Sequence, residues 1–440
     1  MDTPICDFVR QYIENRSLRL HMPGHKGTGP LGVEQLDITE ISGADSLYEA
    51  DSIIAQSEKN AGALFGCPTF YSTEGSSQCI RAMVYLAMLH AKSQGKAPRI
   101  AVARNVHKTF LSAVALLDTS VSWIYPAKQV SYLACPLTAG DVEAAILQDA
   151  PTAVYVTSPD YLGNLLDIAA LAAVCHRHGV LLLVDNAHGA YLRFLQPSRH
   201  PMDLGADLCC DSAHKTLPVL TGGAYLHVGV QSLVSQAKNA LALFGSTSPS
   251  YLILQSLDAV NRYLSADYPA RLANFCEKVV DLKARITKHG YRLCGHEAIK
   301  LTIDAKAWGY TGTELADRLR THNIECEFAD PDFLVLMATP ETGEDGLARL
   351  ENALLAIPAR PAILETSPVF HRCRPVMSIR EAVMAPSVTL PVEDCDGRIL
   401  VAASVSCPPA VPIVICGEQI DRAAIACFRY YGIDQCTVLL

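Results

Sequence analysis

Leu181-Leu182-Leu183-Val184-Asp185-Asn186-Ala187-His188-Gly189, followed by Leu208-Cys209-Cys210-Asp211-Ser212-Ala213-His214-Lys215, is the stretch that decides the fold. The apolar run Val180–Val184 has no polar alternation, so it reads as a strand buried on both faces. It ends in an acid, Asp185. In an open parallel sheet, ligands bind beyond the carboxyl ends of the strands. Asp185 is therefore expected to point into that crevice, with Ala187, His188 and Gly189 just after it. A second short strand, Leu208–Cys210, runs into Ser212, His214 and Lys215, which puts Lys215 thirty residues after Asp185.

Outward from this stretch the same texture continues. Ile100–Ala103 and Ala153–Thr157 also read as buried strands. Gln78–His90 carries Ile80, Met83, Val84, Ala87 and Met88 on one helical face, and Leu166–His178 and Ser250–Leu264 read as helices. Buried strands alternating with helices predict an α/β fold with a mainly parallel central sheet. After about Arg271 charged helical segments (Leu272–His289, Gly312–Asn323, Gly343–Ala356) alternate with strand-like Lys300–Ile303 and Leu334–Ala338. The expected division is an N-terminal arm and loop over 1–49, a large domain over 50–270, and a smaller α/β domain over 271–440. The last contains a Pro-rich connector, Ile357–Pro368, and a tail with Ile399–Ser404 and Pro408–Pro412. Apolar Ile5, Phe8, Val9, Tyr12 and Ile13 give the arm helical spacing.

Composition excludes several classes. The 440 residues carry a net charge of −9, with 50% hydrophobic and 18% charged residues, so the chain is not mainly disordered. An acidic balance lacks the footprint of a general nucleic-acid binder. No apolar run is long enough to span a membrane. Met1–Arg16 lacks the pattern of a signal peptide, and a cytoplasmic location is expected. The 16 cysteines include no C-x-x-C pair, so buried free thiols are expected, and no metal site.

A carboxylate and a lysine at the ends of neighbouring strands suit one cofactor. Pyridoxal phosphate needs a lysine amine and an acid that keeps its ring nitrogen protonated. Its phosphate needs an anion site, and Ser72-Thr73-Glu74-Gly75-Ser76-Ser77 stands just before a helix whose N-terminus can supply one. Three His-Lys dipeptides compete for the lysine role: His25-Lys26, His107-Lys108 and His214-Lys215. Lys215 is favoured because it follows both the acid strand and its own strand.

The sequence resembles the Orn/Lys/Arg decarboxylases, in their short form, of the pyridoxal-phosphate aspartate-aminotransferase fold (fold type I). The matching stretches are His21-Met-Pro-Gly-His-Lys-Gly27, Gly43-Ala-Asp-Ser-Leu47, Ser72–Ser77, Arg104-Asn-Val-His-Lys108, Asp185-Asn-Ala-His-Gly189, Ser212-Ala-His-Lys-Thr216, Ser246-Thr-Ser-Pro-Ser-Tyr251 and Pro408-Pro409 through Gly417-Glu418. The resemblance implies a Schiff base on Lys215 and a pairing of Asp185 with the pyridine nitrogen. It implies His107 on one ring face and Ala187 beneath the other. Gly75, Ser76, Ser77 and Ser212 would hold the phosphate, and His214 would contact it or donate a proton. His188 would take part or support Asp185. Ser246 and Thr247 would reach the cofactor, from the partner subunit of a homodimer or larger assembly with sites at the interface. Glu327 and Asp330 would lie near the substrate entrance.

The implied reaction is decarboxylation of a basic amino acid, arginine first, then lysine or ornithine, to an amine on a polyamine route. The alternatives are transamination or elimination on another amino acid, or a non-catalytic cofactor-binding protein. A metal hydrolase built on Asp185, His188 and His214 lacks ligand spacing. The chain also departs from the family pattern. Asn186 stands where an acid is usual, Tyr191 where a second His is usual, Asp160 in place of a small hydroxyl residue, and Ala410 in place of a Gly.

Overall fold

The computed structural model describes residues 1–127, 131–402, 406–407 and 410–440. Pro408, Pro409 and the end of the expected strand Ile399–Ser404 lie outside them. The strands of the main sheet are β1 (Thr69–Ser72), β2 (Arg99–Ala103), β3 (Ser120–Ile124), β4 (Ala153–Thr157), β5 (Leu181–Asp185), β6 (Leu208–Asp211) and β7 (Ala224–Val228). Their order is β1-β7-β6-β5-β4-β2-β3. β5 pairs β6 in parallel, as β2 does β3 and β4, while β7 runs antiparallel to both β6 and β1. The mainly parallel α/β fold read from the sequence is thus present. The helices α1 (Pro4–Glu14), α2 (Ile53–Phe65), α3 (Ser76–Ser93), α4 (Lys108–Leu117), α5 (Ala139–Asp149), α6 (Ile168–Arg177) and the short α7 (Ala213–Thr216) are interleaved with them.

By their internal contacts the residues group into two compact units, one of 1–97 with 181–272, the other of 98–180 with 273–440. This grouping cuts across the linear order. The first unit owes its core to β5 and β6, every residue of which is buried. The arm is pinned to this unit by a buried acid. Asp258, in the helix Tyr251–Ser265, accepts from the backbone of Ile5 (3.0 Å) and Cys6 (2.9 Å), the first turn of α1. That turn has no side-chain cap of its own, and the carboxylate satisfies two of its orphan donors. Ser57 donates to the same carboxylate at 2.6 Å, tying α2 to the pair.

The second unit carries a smaller antiparallel sheet of β8 (Leu293–Cys294), β9 (Lys300–Asp304), β10 (Phe328–Ala329) and β11 (Phe333–Met337), in the order β10-β11-β9-β8. Its tail packs a separate apolar cluster that includes Val411, Ile413, Val414, Ile420 and Phe428. No helix of the described residues is long and apolar enough to cross a membrane. The cysteines other than Cys407 are all free, and most are buried.

Candidate active site

Within the first unit the ends of β5 and β6 converge with the start of α3. Asp185 is 2% exposed and its Oδ1 accepts from Ala187 N at 3.2 Å, which folds the next turn back over it. That turn delivers His188, also buried, and His188 Nε2 lies 3.0 Å from Lys215 Nζ. The lysine comes from the short α7, which begins immediately after Ser212. The expected pair of Asp185 and Lys215 strands thus brings a buried carboxylate, an imidazole and an amine to one end of the sheet.

The anion site is built by α3. Gly75 stands at its N-cap with φ +71, a conformation that a residue with a side chain rarely adopts. A Cβ there would meet only His214 Cε1, at 4.0 Å, so the space above the helix start is open. Gly75 N itself donates to Gly222 O at 2.7 Å, which fixes the loop. Ser212 Oγ, just past the end of β6, donates to Ser76 Oγ at 2.7 Å, so two hydroxyls meet at the start of α3. Ser77 is the next residue of the same turn. His214 is held twice by Gly223 O, through its backbone N (3.2 Å) and its Nδ1 (3.0 Å).

This donor set fits pyridoxal phosphate: an open helix N-terminus with hydroxyls for a phosphate, a buried carboxylate for a ring N–H, and an amine beside an imidazole. Gly75, Ser76, Ser77 and Ser212 would hold the phosphate and Asp185 the ring nitrogen. The competing lysines sit differently. Lys26 is exposed and donates to His21 O, and Lys108 is exposed at the start of α4.

The other candidate residues lie as follows. His107, in the second unit, is the N-cap of α4, with Nδ1 accepting from Thr109 N at 3.2 Å. Its loop is fastened to the tail, since Lys108 N donates to Ala410 O (2.9 Å) and the buried Arg104 donates to Pro412 O (2.7 Å) and Ile413 O (2.9 Å). Ser246 and Thr247 are exposed, and Ser246 N donates to Glu74 Oε1 at 2.5 Å. Glu327 is exposed, whereas Asp330 is 1% exposed and clamps its own turn by accepting from Asp332 N (2.8 Å) and Phe333 N (2.6 Å). Burial pushes the Asp330 carboxyl up to about 7. The two acids therefore face different surroundings.

The family departures acquire physical reasons. Asp160 accepts from Leu162 N, Asn164 N and Asn164 Nδ2, all at 2.9 Å, so its carboxylate closes its own loop. Burial raises it to about 6 against the pull of Asn164 and Lys300. Asn186 donates its amide to Asp211 Oδ1 at 2.6 Å, a contact that an acid at 186 would turn into two facing carboxyls. Ala410 adopts φ +142, where glycine is at ease. Tyr191 is fully buried in the turn Ala190–Phe194.

Sequence reading missed the residues beneath this site. Asp211, fully buried, is flanked by His200 and His227, equally buried. Burial alone would raise its carboxyl, but the two histidines outweigh that and hold it well below the usual range. An acid closing an apolar run was the signal used for Asp185, and it applies to Asp211 too.

Comparisons with known proteins give a family and a fold. Residues 3–352 match the family model described as "Orn/Lys/Arg decarboxylase, major domain". The chain is 29% identical to an arginine decarboxylase of Halalkalibacterium halodurans, over 97% of this chain and 93% of that protein. It is 28% identical to one of Bacillus subtilis, over 97% and 92%. Among solved structures, the E. coli constitutive lysine decarboxylase superposes with a TM-score of 0.78 at 16% identity, over 100% of this chain and 82% of that one. Lysine decarboxylase A from Pseudomonas aeruginosa gives 0.79 at 17%, over 98% and 76%, a likeness of fold. With a family match running through most of its length, the chain belongs to the Orn/Lys/Arg decarboxylase family.

Proposed function

We propose that the protein is a pyridoxal-phosphate-dependent decarboxylase of arginine, releasing carbon dioxide and agmatine. The observation that carries this reading is the meeting of Lys215 Nζ and His188 Nε2, 3.0 Å apart, beside buried Asp185 and the open start of α3. The choice of arginine rests on the similarity to two arginine decarboxylases. Lysine and ornithine follow.

When bound, the cofactor supplies an electron sink for the bond that breaks at the substrate Cα. Lys215 would hold the cofactor through its amine. Asp185 keeps a proton on the ring nitrogen, a task suited to a buried carboxylate. Ser76, Ser212 and the backbone of α3 hold the phosphate and so fix the ring's position. His188 exchanges a hydrogen bond with Lys215 Nζ, which keeps the amine oriented while its protonation changes. His214 or Lys215 returns a proton to the carbon that lost its carboxylate. By the family resemblance His107 and Ala187 would flank the cofactor ring, and Ser246 and Thr247 would serve the site of a partner subunit in a cytoplasmic homodimer. Glu327 and Asp330 belong at the substrate entrance.

The test offers purified protein, loaded with pyridoxal phosphate, carboxyl-labelled arginine, lysine or ornithine in turn. Labelled carbon dioxide in step with agmatine, absent from Lys215→Ala, is expected. A keto acid in place of the amine would replace decarboxylation with transamination.

A further inference from the structure

Beneath the turn that carries Asp185 and His188 lies a polar cluster that the proposed reaction does not use. Asp211 Oδ2 faces His200 Nε2 at 3.0 Å and His227 Nε2 at 3.1 Å, and all three residues are 0% exposed. The Phe65 ring walls the cluster, 4.7 Å from His227 and 5.5 Å from His200.

The hydrogen-bond partners fix where the protons are. The Thr69 hydroxyl donates its one proton to Cys67 O at 3.0 Å. Its oxygen also lies 2.9 Å from His227 Nδ1, so toward that nitrogen the hydroxyl accepts and Nδ1 donates, with Cys67 Sγ a longer contact at 3.8 Å. An ionised carboxylate only accepts, so His227 Nε2 carries a proton too. His227 is thereby an imidazolium. His200 differs, because its Nδ1 accepts from Met202 N at 3.4 Å and only its Nε2 donates to Asp211. One carboxylate and one imidazolium leave the cluster neutral, which is how a fully buried charge is tolerated. Burial works against a charged His227, yet facing Asp211 outweighs it and raises the imidazole above its ordinary value. The other titratable groups packed around the pair are Cys67, Cys79, Cys209, Cys210 and Tyr225. Of these Cys79, Cys209, Cys210 and Tyr225 are pushed upward by burial and stay neutral.

The cluster reaches the site through two strands. Asn186 donates to Asp211 Oδ1 at 2.6 Å, and Asn186 is the second residue of the turn Asp185–His188. Asp211 is followed directly by Ser212, and Lys215 lies one turn beyond. We propose that Asp211 and His227 form a permanent buried ion pair and act as positioning residues, setting the Asp185–His188 turn through Asn186 and Ser212 and Lys215 through β6. The positioning role rests on Asp185 and Lys215 being the cofactor residues; the ion pair does not.

Nuclear magnetic resonance of the cofactor-free protein with ¹⁵N-labelled histidine tests the pair directly. One imidazole is expected to keep both protons at pH 8.5, where an ordinary histidine is about 99% neutral, and His227→Gln should remove its signal. A wild-type spectrum with no such imidazolium would overturn the pair, whether or not the variant folds. Urea unfolding of Asp211→Asn, His227→Gln and the double variant gives a second reading. The double variant is expected to fall short of the product of the singles by about tenfold in the unfolding constant. Simple additivity would contradict the pair. Stoichiometric metal in the purified protein, held by His200, Cys209 and Asp211, would overturn the proton count, since their ligand atoms lie within 4.8 Å of one another.

Positioning is read from titration of Asp211→Asn with pyridoxal phosphate. About tenfold weaker binding and a displaced pH midpoint of the cofactor's visible band are expected, the size of one lost charge-assisted contact. Asp258→Asn, a destabilising change away from the site, should keep the wild-type midpoint. Wild-type affinity and midpoint in Asp211→Asn would refute positioning. Failure of the underlying assignment would instead show as a visible band retained in Lys215→Ala.

Discussion

Gly189→Ala gives a demanding test of the turn between Asp185 and Lys215. Gly189 has φ −118, so an alanine there meets no backbone penalty and the whole effect is steric. A Cβ built at this position would lie 1.9 Å from Asn186 Oδ1, 2.7 Å from Asn186 Cγ and 2.8 Å from Leu192 Cδ1. None of these overlaps can persist, and Asn186 is fully buried, so its side chain must leave its place. Leaving breaks the 2.6 Å bond to the Asp211 carboxylate. A hydrogen bond to a charged group contributes about 1.5–3 kcal/mol, and overpacking a dense core costs about 1–3 kcal/mol. Together these predict a loss of roughly 2.5–6 kcal/mol. Urea unfolding of the cofactor-free protein measures it. Gly24→Ala, where an added Cβ meets nothing within 4 Å, is the control and should change little. Asn186→Ala removes the two Asn186 overlaps and leaves the one with Leu192 Cδ1 at 2.8 Å, so Gly189→Ala should cost much less on the Asn186→Ala background than on the wild type. A loss below about 1 kcal/mol in Gly189→Ala, or a cost as large on the Asn186→Ala background as on the wild type, would refute the packing of this turn.

Two further outcomes follow from other positions. Ala410→Gly relieves a residue held at φ +142 and should raise stability by about 1 kcal/mol, read as a higher thermal midpoint with activity kept; an unchanged or lower midpoint would count against the strain. Asp160, lifted to about 6 by burial, binds its proton more tightly folded than unfolded, so its contribution to stability falls as pH rises from about 4 through 6. The stability of Asp160→Asn relative to wild type should therefore improve from pH 5 to pH 8, and a pH-independent difference would contradict the assignment.

The sequence made the parallel core legible because burial on both faces writes itself as continuous apolar runs. Ala153–Thr157 was drawn to its observed ends, and Lys300–Ile303 and Leu334–Ala338 fall on β9 and β11 within a residue. β1, β3 and β7 escaped notice. Thr69–Ser72 is short and mixed, and Ser120–Ile124 alternates serines with apolar residues as an edge strand does. Within the site, Asp185, His188, Ser212 and Lys215 were readable because each follows a strand that announces itself. The ion pair was not, because Thr69, Asn186, Asp211 and His227 meet only after β1, β7 and β6 have paired. Residue 69 is opposite residue 227 in that sheet, a pairing that no local pattern encodes. The strain at Ala410 is likewise invisible until the backbone angle is known.

The central claim is that Lys215, beside His188, carries the cofactor. Protein loaded with pyridoxal phosphate would be reduced with borohydride, digested, and the modified peptide sequenced by mass spectrometry. The account predicts the adduct on Lys215, lost in Lys215→Ala and retained in Lys26→Ala and Lys108→Ala. An adduct on Lys108 or Lys26 would contradict it.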